Sequence, residues 1–188
     1  MAETSRATRA PLQPADWRDE IFARLRAADI RQVAYVPDSG HSRLIVLAHA
    51  DPELKTTVLT TEEEGIGLAA GAWLGGERAV LLMQSSGVGN CINTLSLATE
   101  CGFPLLMLVT MRGTWGEFNP WQVPMGQATP DMLRLAGVIV HDVDAPGIAA
   151  ATVEAAARIA FNSSRAVAVL LSQQLIGTKA FKDDDHGK

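Results

Sequence analysis

Six short apolar or β-branched runs constrain this chain more than any other feature: Val33–Val36, Thr56–Thr60, Ala79–Met83, Leu105–Thr110, Val138–His141 and Ala166–Leu171. Each is strand-sized, and most are apolar throughout, without the in/out alternation of a strand that has one wet face. Between them lie stretches with helical character. Trp17, Ile21, Leu25 and Ala28 recur every three or four positions, and helices are also expected over Ser42–Ala50, Glu62–Leu74, Asn90–Thr99 and Ala145–Phe161. A short helix is expected after the Pro- and Trp-containing loop from Met111 to Ala128, with Thr129 as its N-cap. Strands separated by helices need crossover connections, and those give a parallel sheet buried on both faces. The expected fold is therefore α/β, a single doubly wound domain over residues 16–175 with a mainly parallel six-stranded sheet. A flexible arm (1–15) precedes it and a tail (176–188) follows.

A length of 188 residues suits one such domain. Acidic residues (21) outnumber Lys and Arg (16), and no basic cluster offers the electrostatic footprint of nucleic-acid binding, so no nucleic-acid partner is expected. No apolar run approaches the roughly 18 residues of a membrane span, and the first ten residues lack the apolar core of a secretory leader. The expected location is the cytoplasm, without membrane association. Cys91 and Cys101 stand ten residues apart with no Cys-x-x-Cys pair and no His cluster, which points to buried free thiols and to no metal ligand set.

In doubly wound sheets ligands bind beyond the carboxyl ends of the strands. That rule selects Pro37–His41, Thr61–Glu64, Gln84–Asn90 and Met111–Gln127. Glu62, Glu63 and Glu64 open a helix, where acidic residues complement the dipole. The helix that follows, Gly65-Ile66-Gly67-Leu68-Ala69-Ala70-Gly71, carries glycines that cost roughly 1 kcal/mol apiece against alanine. Close approach by another surface would account for them. Gln84-Ser85-Ser86-Gly87-Val88-Gly89-Asn90 reads either as a phosphate cradle or as a tight turn, since it lacks the third glycine of a dinucleotide fingerprint.

Taken in order, these segments resemble the pyrimidine-binding domain of thiamine-diphosphate-dependent 2-oxoacid decarboxylases, and among them the sulfopyruvate α subunits and the matching half of the phosphonopyruvate enzymes. The resemblance rests on Val36-Pro37-Asp38-Ser39, Glu62 nine residues before Gly71, and Met83-Gln84-x-Ser86-Gly87-x-Gly89-Asn90. Met111-Arg112-Gly113 and Thr129-Pro130-x-Met132-Leu133 complete it, so that most of residues 16–172 are covered. The resemblance implies that Glu62 is the glutamate that hydrogen-bonds N1′ of the aminopyrimidine and promotes ylid formation. It implies that Gln84, Ser86, Gly87, Gly89 and Asn90 approach the cofactor. It puts Asp38, Ser39, His41, Ser85, Arg112 and Gln122 on the substrate side, with Arg112 either contacting an acidic head group or pairing with a neighbour, and His41 either donating to the substrate or simply solvated.

The departures from that pattern bear on substrate choice. Ser85 stands where the phosphonopyruvate enzymes have Asn, and Gln122 and Met125 replace their His and Gln. Trp115, Phe118 and Trp121 either wall the pocket or serve an interface. The family's diphosphate- and magnesium-binding module carries Gly-Asp-Gly, which this chain lacks. The resemblance thus implies thiamine diphosphate as cofactor, with Mg²⁺ held by a separate diphosphate-binding β subunit in a hetero-oligomer. The expected reaction converts sulfopyruvate to sulfoacetaldehyde and CO₂. The alternatives are phosphonopyruvate or another small acidic 2-oxoacid as substrate, or a non-catalytic regulatory subunit of the same fold.

Overall fold

The computed structural model describes residues 16–178. The arm expected over 1–15 and residues 179–188 of the tail expected over 176–188 lie outside that range. Strands β1 (Ile30–Tyr35), β2 (Lys55–Val58), β3 (Arg78–Gln84), β4 (Leu105–Thr110), β5 (Ile139–Val143) and β6 (Ala166–Leu171) form one sheet in the order β2-β1-β3-β4-β6-β5. Every adjacent pair is parallel, so the expected sheet is present and is parallel throughout.

The central strands are apolar throughout because both faces are covered. Side chains alternate across a strand, so Leu81, Met83, Leu105, Met107, Val109, Ala168 and Leu170 enter one core. Their neighbours Val80, Leu82, Leu106, Leu108, Val167 and Val169 enter the other. The first core lies under α3 (Glu62–Leu74), α4 (Ser85–Cys91), α5 (Leu95–Cys101) and α6 (Val123–Leu135). The second lies under α1 (Trp17–Ala27), α2 (Ser42–Ala50) and α7 (Pro146–Ser163). A last short turn of helix, α8 (Gln173–Ile176), follows β6.

Helix α3 sits against β3 because Gly65 has no side chain. A Cβ there would lie 2.9 Å from Leu59 Cδ1 and 3.0 Å or less from both Leu81 methyls. Gly67 and Gly71 face open space instead, so only part of the glycine pattern is explained within the chain.

Three local expectations are corrected. The segment Gln84–Asn90 is not a turn: helix α4 begins at Ser85, directly after β3, and the expected Asn90–Thr99 helix is replaced by α4 and α5 with a break between them. Thr129 is not an N-cap but lies within α6, which starts at Val123. Its hydroxyl bonds Met125 O at 2.7 Å and Ser85 O at 3.2 Å, and Pro130 is accommodated inside the same helix. Cys91 is buried as expected, whereas Cys101 is exposed. Among the described residues no helix is long and apolar enough to cross a membrane.

Candidate active site

The strand order reverses between β1 and β3, and the side chains after those two strands meet there. Asp38 follows β1 in extended backbone and opens a single 3₁₀ turn over Ser39–His41, accepting a hydrogen bond from Gly40 N at 3.1 Å. Its Oδ1 accepts from Gln84 Nε2 at 2.9 Å and its Oδ2 from Thr110 Oγ1 at 2.6 Å. Ser86 Oγ then donates to Gln84 Oε1 at 2.9 Å. Thr110, Asp38, Gln84 and Ser86 thus form one polar chain across the carboxyl ends of β4, β1 and β3, each holding the next in a single rotamer.

At the other end of this row stands Glu62, the first residue of α3. It is 8% exposed, and its Oε2 accepts from Asn90 Nδ2 at 2.8 Å. Gly87 lies directly over the carboxylate: a Cβ there would be 2.5 Å from Glu62 Cγ and nearer still to Cδ and Oε1. Among the described residues Oε1 has no hydrogen-bond donor, so one carboxylate oxygen is fixed and the other is left for an outside partner. Beneath it, burial pushes the Cys91 thiol up to about 12, helped by the negative charges of Glu62 and Glu63. Gly89, two residues on in α4, faces Met125.

The segment after β4 carries an arrangement that sequence reasoning missed. Arg112 Nε and Nη2 both donate to Glu117, at 2.6 Å each, and the two side chains are 8% and 3% exposed. The Glu117 carboxylate also accepts from Gly113 N (3.2 Å), Asn119 N (3.0 Å) and Gln173 Nε2 (2.9 Å). The Arg112 guanidinium above all, then these donors, hold its carboxyl down at about 2, while Glu117 raises Arg112. Gln173 Oε1 in turn accepts from the backbone of Thr114 and Trp115 at 3.0 Å each. The rule that selected the ends of the other strands applies equally to Gln173, two residues beyond β6. Glu117 falls inside the Met111–Gln127 segment that the rule selected, but nothing local singles it out within that segment, because its partners are fixed only by folding.

Several expected substrate-side residues are placed otherwise. His41 is fully buried rather than solvated or facing a ligand. Its Nε2 lies 3.2 Å from Met83 O and 3.0 Å from Leu108 O, and burial lowers its proton affinity, so the ring is a neutral strut between β3 and β4. Ser85 is also fully buried, and its Oγ accepts from Arg112 N at 3.0 Å. Arg112 takes the pairing role, with Nη1 alone uncommitted among the described residues. Asp38, Ser39, Gly40 and Arg112 line a cavity of about 100 Å³ together with Ile176, Gly177 and Thr178. Gln122, in a 3₁₀ turn before α6, has a buried Oε1 with no partner among the described residues. No group of three His, Cys, Asp or Glu side chains among those residues is placed to hold a metal.

A family model described as thiamine pyrophosphate enzyme, N-terminal TPP binding domain, matches residues 16–130, which span α1 to Pro130 and every element just described except α7, α8 and the last two strands. The chain belongs to the thiamine pyrophosphate enzymes. It is similar to the sulfopyruvate decarboxylase α subunit of Methanothermobacter thermautotrophicus, 38% identical over 83% of this chain and 95% of that protein. The α subunit from Methanococcus maripaludis is 31% identical over 81% of this chain and 92% of its own length. A phosphonopyruvate decarboxylase of Streptomyces viridochromogenes is 37% identical over 62% of this chain, but only 30% of that protein is covered. Among solved structures, a 2-oxoglutarate:ferredoxin oxidoreductase from Magnetococcus marinus superposes with a TM-score of 0.66 at 13% identity, covering 86% of this chain and 29% of that one, a likeness of fold.

The residues present fit the aminopyrimidine half of this thiamine pyrophosphate enzyme's cofactor. A nearly buried carboxylate with one oxygen unpartnered among the described residues can meet a ring nitrogen that carries a proton, and the absence of a side chain at Gly87 leaves the room that the carboxylate itself occupies.

Proposed function

We propose that this chain is the pyrimidine-binding subunit of a thiamine-diphosphate-dependent decarboxylase that acts on a small acidic 2-oxoacid, sulfopyruvate, releasing sulfoacetaldehyde and CO₂. A separate β subunit binds the diphosphate and Mg²⁺. The observation that carries the reading is Glu62: a carboxylate at the strand ends, fixed through one oxygen by Asn90 and without a partner at the other among the described residues, in a chain of this family. The choice of sulfopyruvate is supported by relatives of that name that this chain matches over almost their whole length. Their designation as α subunits supports a second chain.

When bound, the cofactor supplies an electron sink for the carbon–carbon bond that breaks. The chain's own residues do the rest on this side of the site. Glu62 Oε1 holds and returns a proton at N1′ of the aminopyrimidine. Asn90 keeps the carboxylate from rotating, and Gly87 leaves the space in which the carboxylate sits. Gln84 and Ser86, held by Asp38, present a rigid polar edge beside the ring, so that little reorganisation accompanies the proton movement. Ser39 and Arg112, whose Nη1 has no partner among the described residues, line the cavity of about 100 Å³ on the substrate side.

The reading is tested by affinity purification of the tagged chain from its own cells, followed by a decarboxylation assay on sulfopyruvate with thiamine diphosphate and Mg²⁺. A stoichiometric partner carrying Gly-Asp-Gly and aldehyde release support it. Turnover of phosphonopyruvate but not sulfopyruvate keeps the cofactor and removes the substrate. No turnover of either with a complete partner present removes the enzymatic reading.

A further inference from the structure

At the opposite, amino-terminal end of the strands, between α1 and α7, lies a cavity of about 210 Å³ that the proposed reaction does not use. Arg24, Arg78, Arg158, Glu154 and Asn162 provide its polar lining, and Ala27, Ala28 and Ala157 its small apolar floor. Arg78 is the first residue of β3, so the full seven-residue strand, about 20 Å at the usual rise, separates this cavity from Gln84 and the candidate active site.

Three guanidiniums surround a single carboxylate here, two positive charges in excess on a chain whose formal net charge is −5. Glu154 is shared, with Oε2 3.1 Å from Arg24 Nη1 and Oε1 2.9 Å from Arg158 Nη2. Arg78 has no carboxylate partner among the described residues. Its Nη1 donates to Ala28 O at 2.9 Å and its guanidinium lies 5.0 Å from the centre of the Phe161 ring, so it is held in place with Nε and Nη2 uncommitted among those residues. The bond to Ala28 also masks a carbonyl at the end of α1 that would otherwise repel an anion. Fixed guanidinium forks with free donors, next to a small open cavity, are suited to a tetrahedral oxyanion.

We propose that this cavity is a binding site for a phosphate dianion, distinct from the candidate active site, with Arg78 as its fixed donor and Arg24 and Arg158 as the mobile ones. The proposal does not depend on which 2-oxoacid the protein acts on. It is tested by calorimetric titration of inorganic phosphate into the protein assembled with its partner and saturated with thiamine diphosphate, at ionic strength held constant with chloride. Saturable binding at one site per chain is expected, weakened at least about tenfold by Arg78→Gln and by Arg158→Gln. Arg158 is 68% exposed and bonds only Glu154 among the described residues, so its replacement leaves the fold intact even where Arg78→Gln does not. Glu154→Gln, which removes the one opposing charge, is expected to tighten binding several-fold. Non-saturating heats, or saturable binding that Arg158→Gln and Glu154→Gln leave unchanged, overturn the assignment.

Discussion

Replacing Gly87 by alanine separates the position of the Glu62 carboxylate from the stability of the fold. An added Cβ would stand 2.5 Å from Glu62 Cγ, and real Cβ atoms essentially never approach a neighbour below 3.0 Å, so Cγ must retreat by at least 0.5 Å and the nearer carboxylate by more. The atoms that must move, from Cγ outward, all belong to the Glu62 side chain, so a rotation about its own bonds can absorb the clash. The retreat breaks the 2.8 Å bond to Asn90, a charged hydrogen bond worth about 1.5–3 kcal/mol, at the low end here because Asn90 is exposed. Alanine in place of glycine within α4 returns roughly 0.5–1 kcal/mol. The net loss is about 1 kcal/mol, or some 2–4 °C in Tm for a chain of this length, measured by circular dichroism. Activity falls far more, by about a hundredfold, because misplacing a reacting group by close to 1 Å costs that much. The control is a double-mutant cycle: in a Glu62→Ala background the clash is gone, and Gly87→Ala should be neutral or stabilising. An equal loss of stability in both backgrounds, or turnover within twofold of wild type, would refute the reasoning.

Other predictions follow from the same geometry. Glu117 is depressed to about 2 by Arg112 and its other donors, so its contribution to stability is complete above the ordinary carboxylate range near 4.5 and is lost as pH falls from there through about 2. Acid unfolding followed by fluorescence should therefore show a smaller loss of stability across that window in Glu117→Gln than in the wild type, from a lower starting value at neutral pH. Of the two thiols, only exposed Cys101 should react with a maleimide in the native chain at pH 8, because Cys91 is buried with a pKa near 12; denaturant should release the second equivalent, and two fast native equivalents would contradict its placement. Gly126→Ala should be a severely damaging small substitution near the site. Its Cβ would meet Arg112 backbone, with carbonyl carbon at 2.8 Å and oxygen nearer, and a loss of at least about 3 kcal/mol in denaturant unfolding is expected because two main-chain segments must part.

The elements most legible in the sequence were those whose residues face one environment along their whole length. Leu105–Thr110 and Ala166–Leu171 are central strands buried on both faces, and their apolar runs end where the strands end. Glu62 was legible because the start of a helix and the end of a strand are both local signals. What could not be read depends on contacts far apart in the chain. Gly87 and Gly89 suggest a turn, yet both lie in a helix, and Gly87 is glycine there because Glu62, 25 residues earlier, occupies the space of its side chain. Thr129 has the chemistry of an N-cap, but its hydroxyl turns back to Met125 and across to Ser85 within a helix that Pro124 helps to start. His41 follows a polar turn and would ordinarily be wet, and only the convergence of the Met83 and Leu108 carbonyls explains its burial. Arg112, Glu117 and Gln173 are brought together from the ends of two strands and the loop between, and no periodicity predicts such a meeting.

Glu62 is proposed as the proton-handling carboxylate of a thiamine-diphosphate decarboxylase. That role is tested most directly by assaying Glu62→Gln, assembled with its partner, for sulfopyruvate decarboxylation and for retention of cofactor by tryptophan quenching. The amide keeps the size and the burial of the side chain, so Tm should move by no more than a few degrees and the partner should remain bound, while kcat falls by about 10²–10⁴. A folded, assembled Glu62→Gln protein that turns over at close to the wild-type rate would contradict the account.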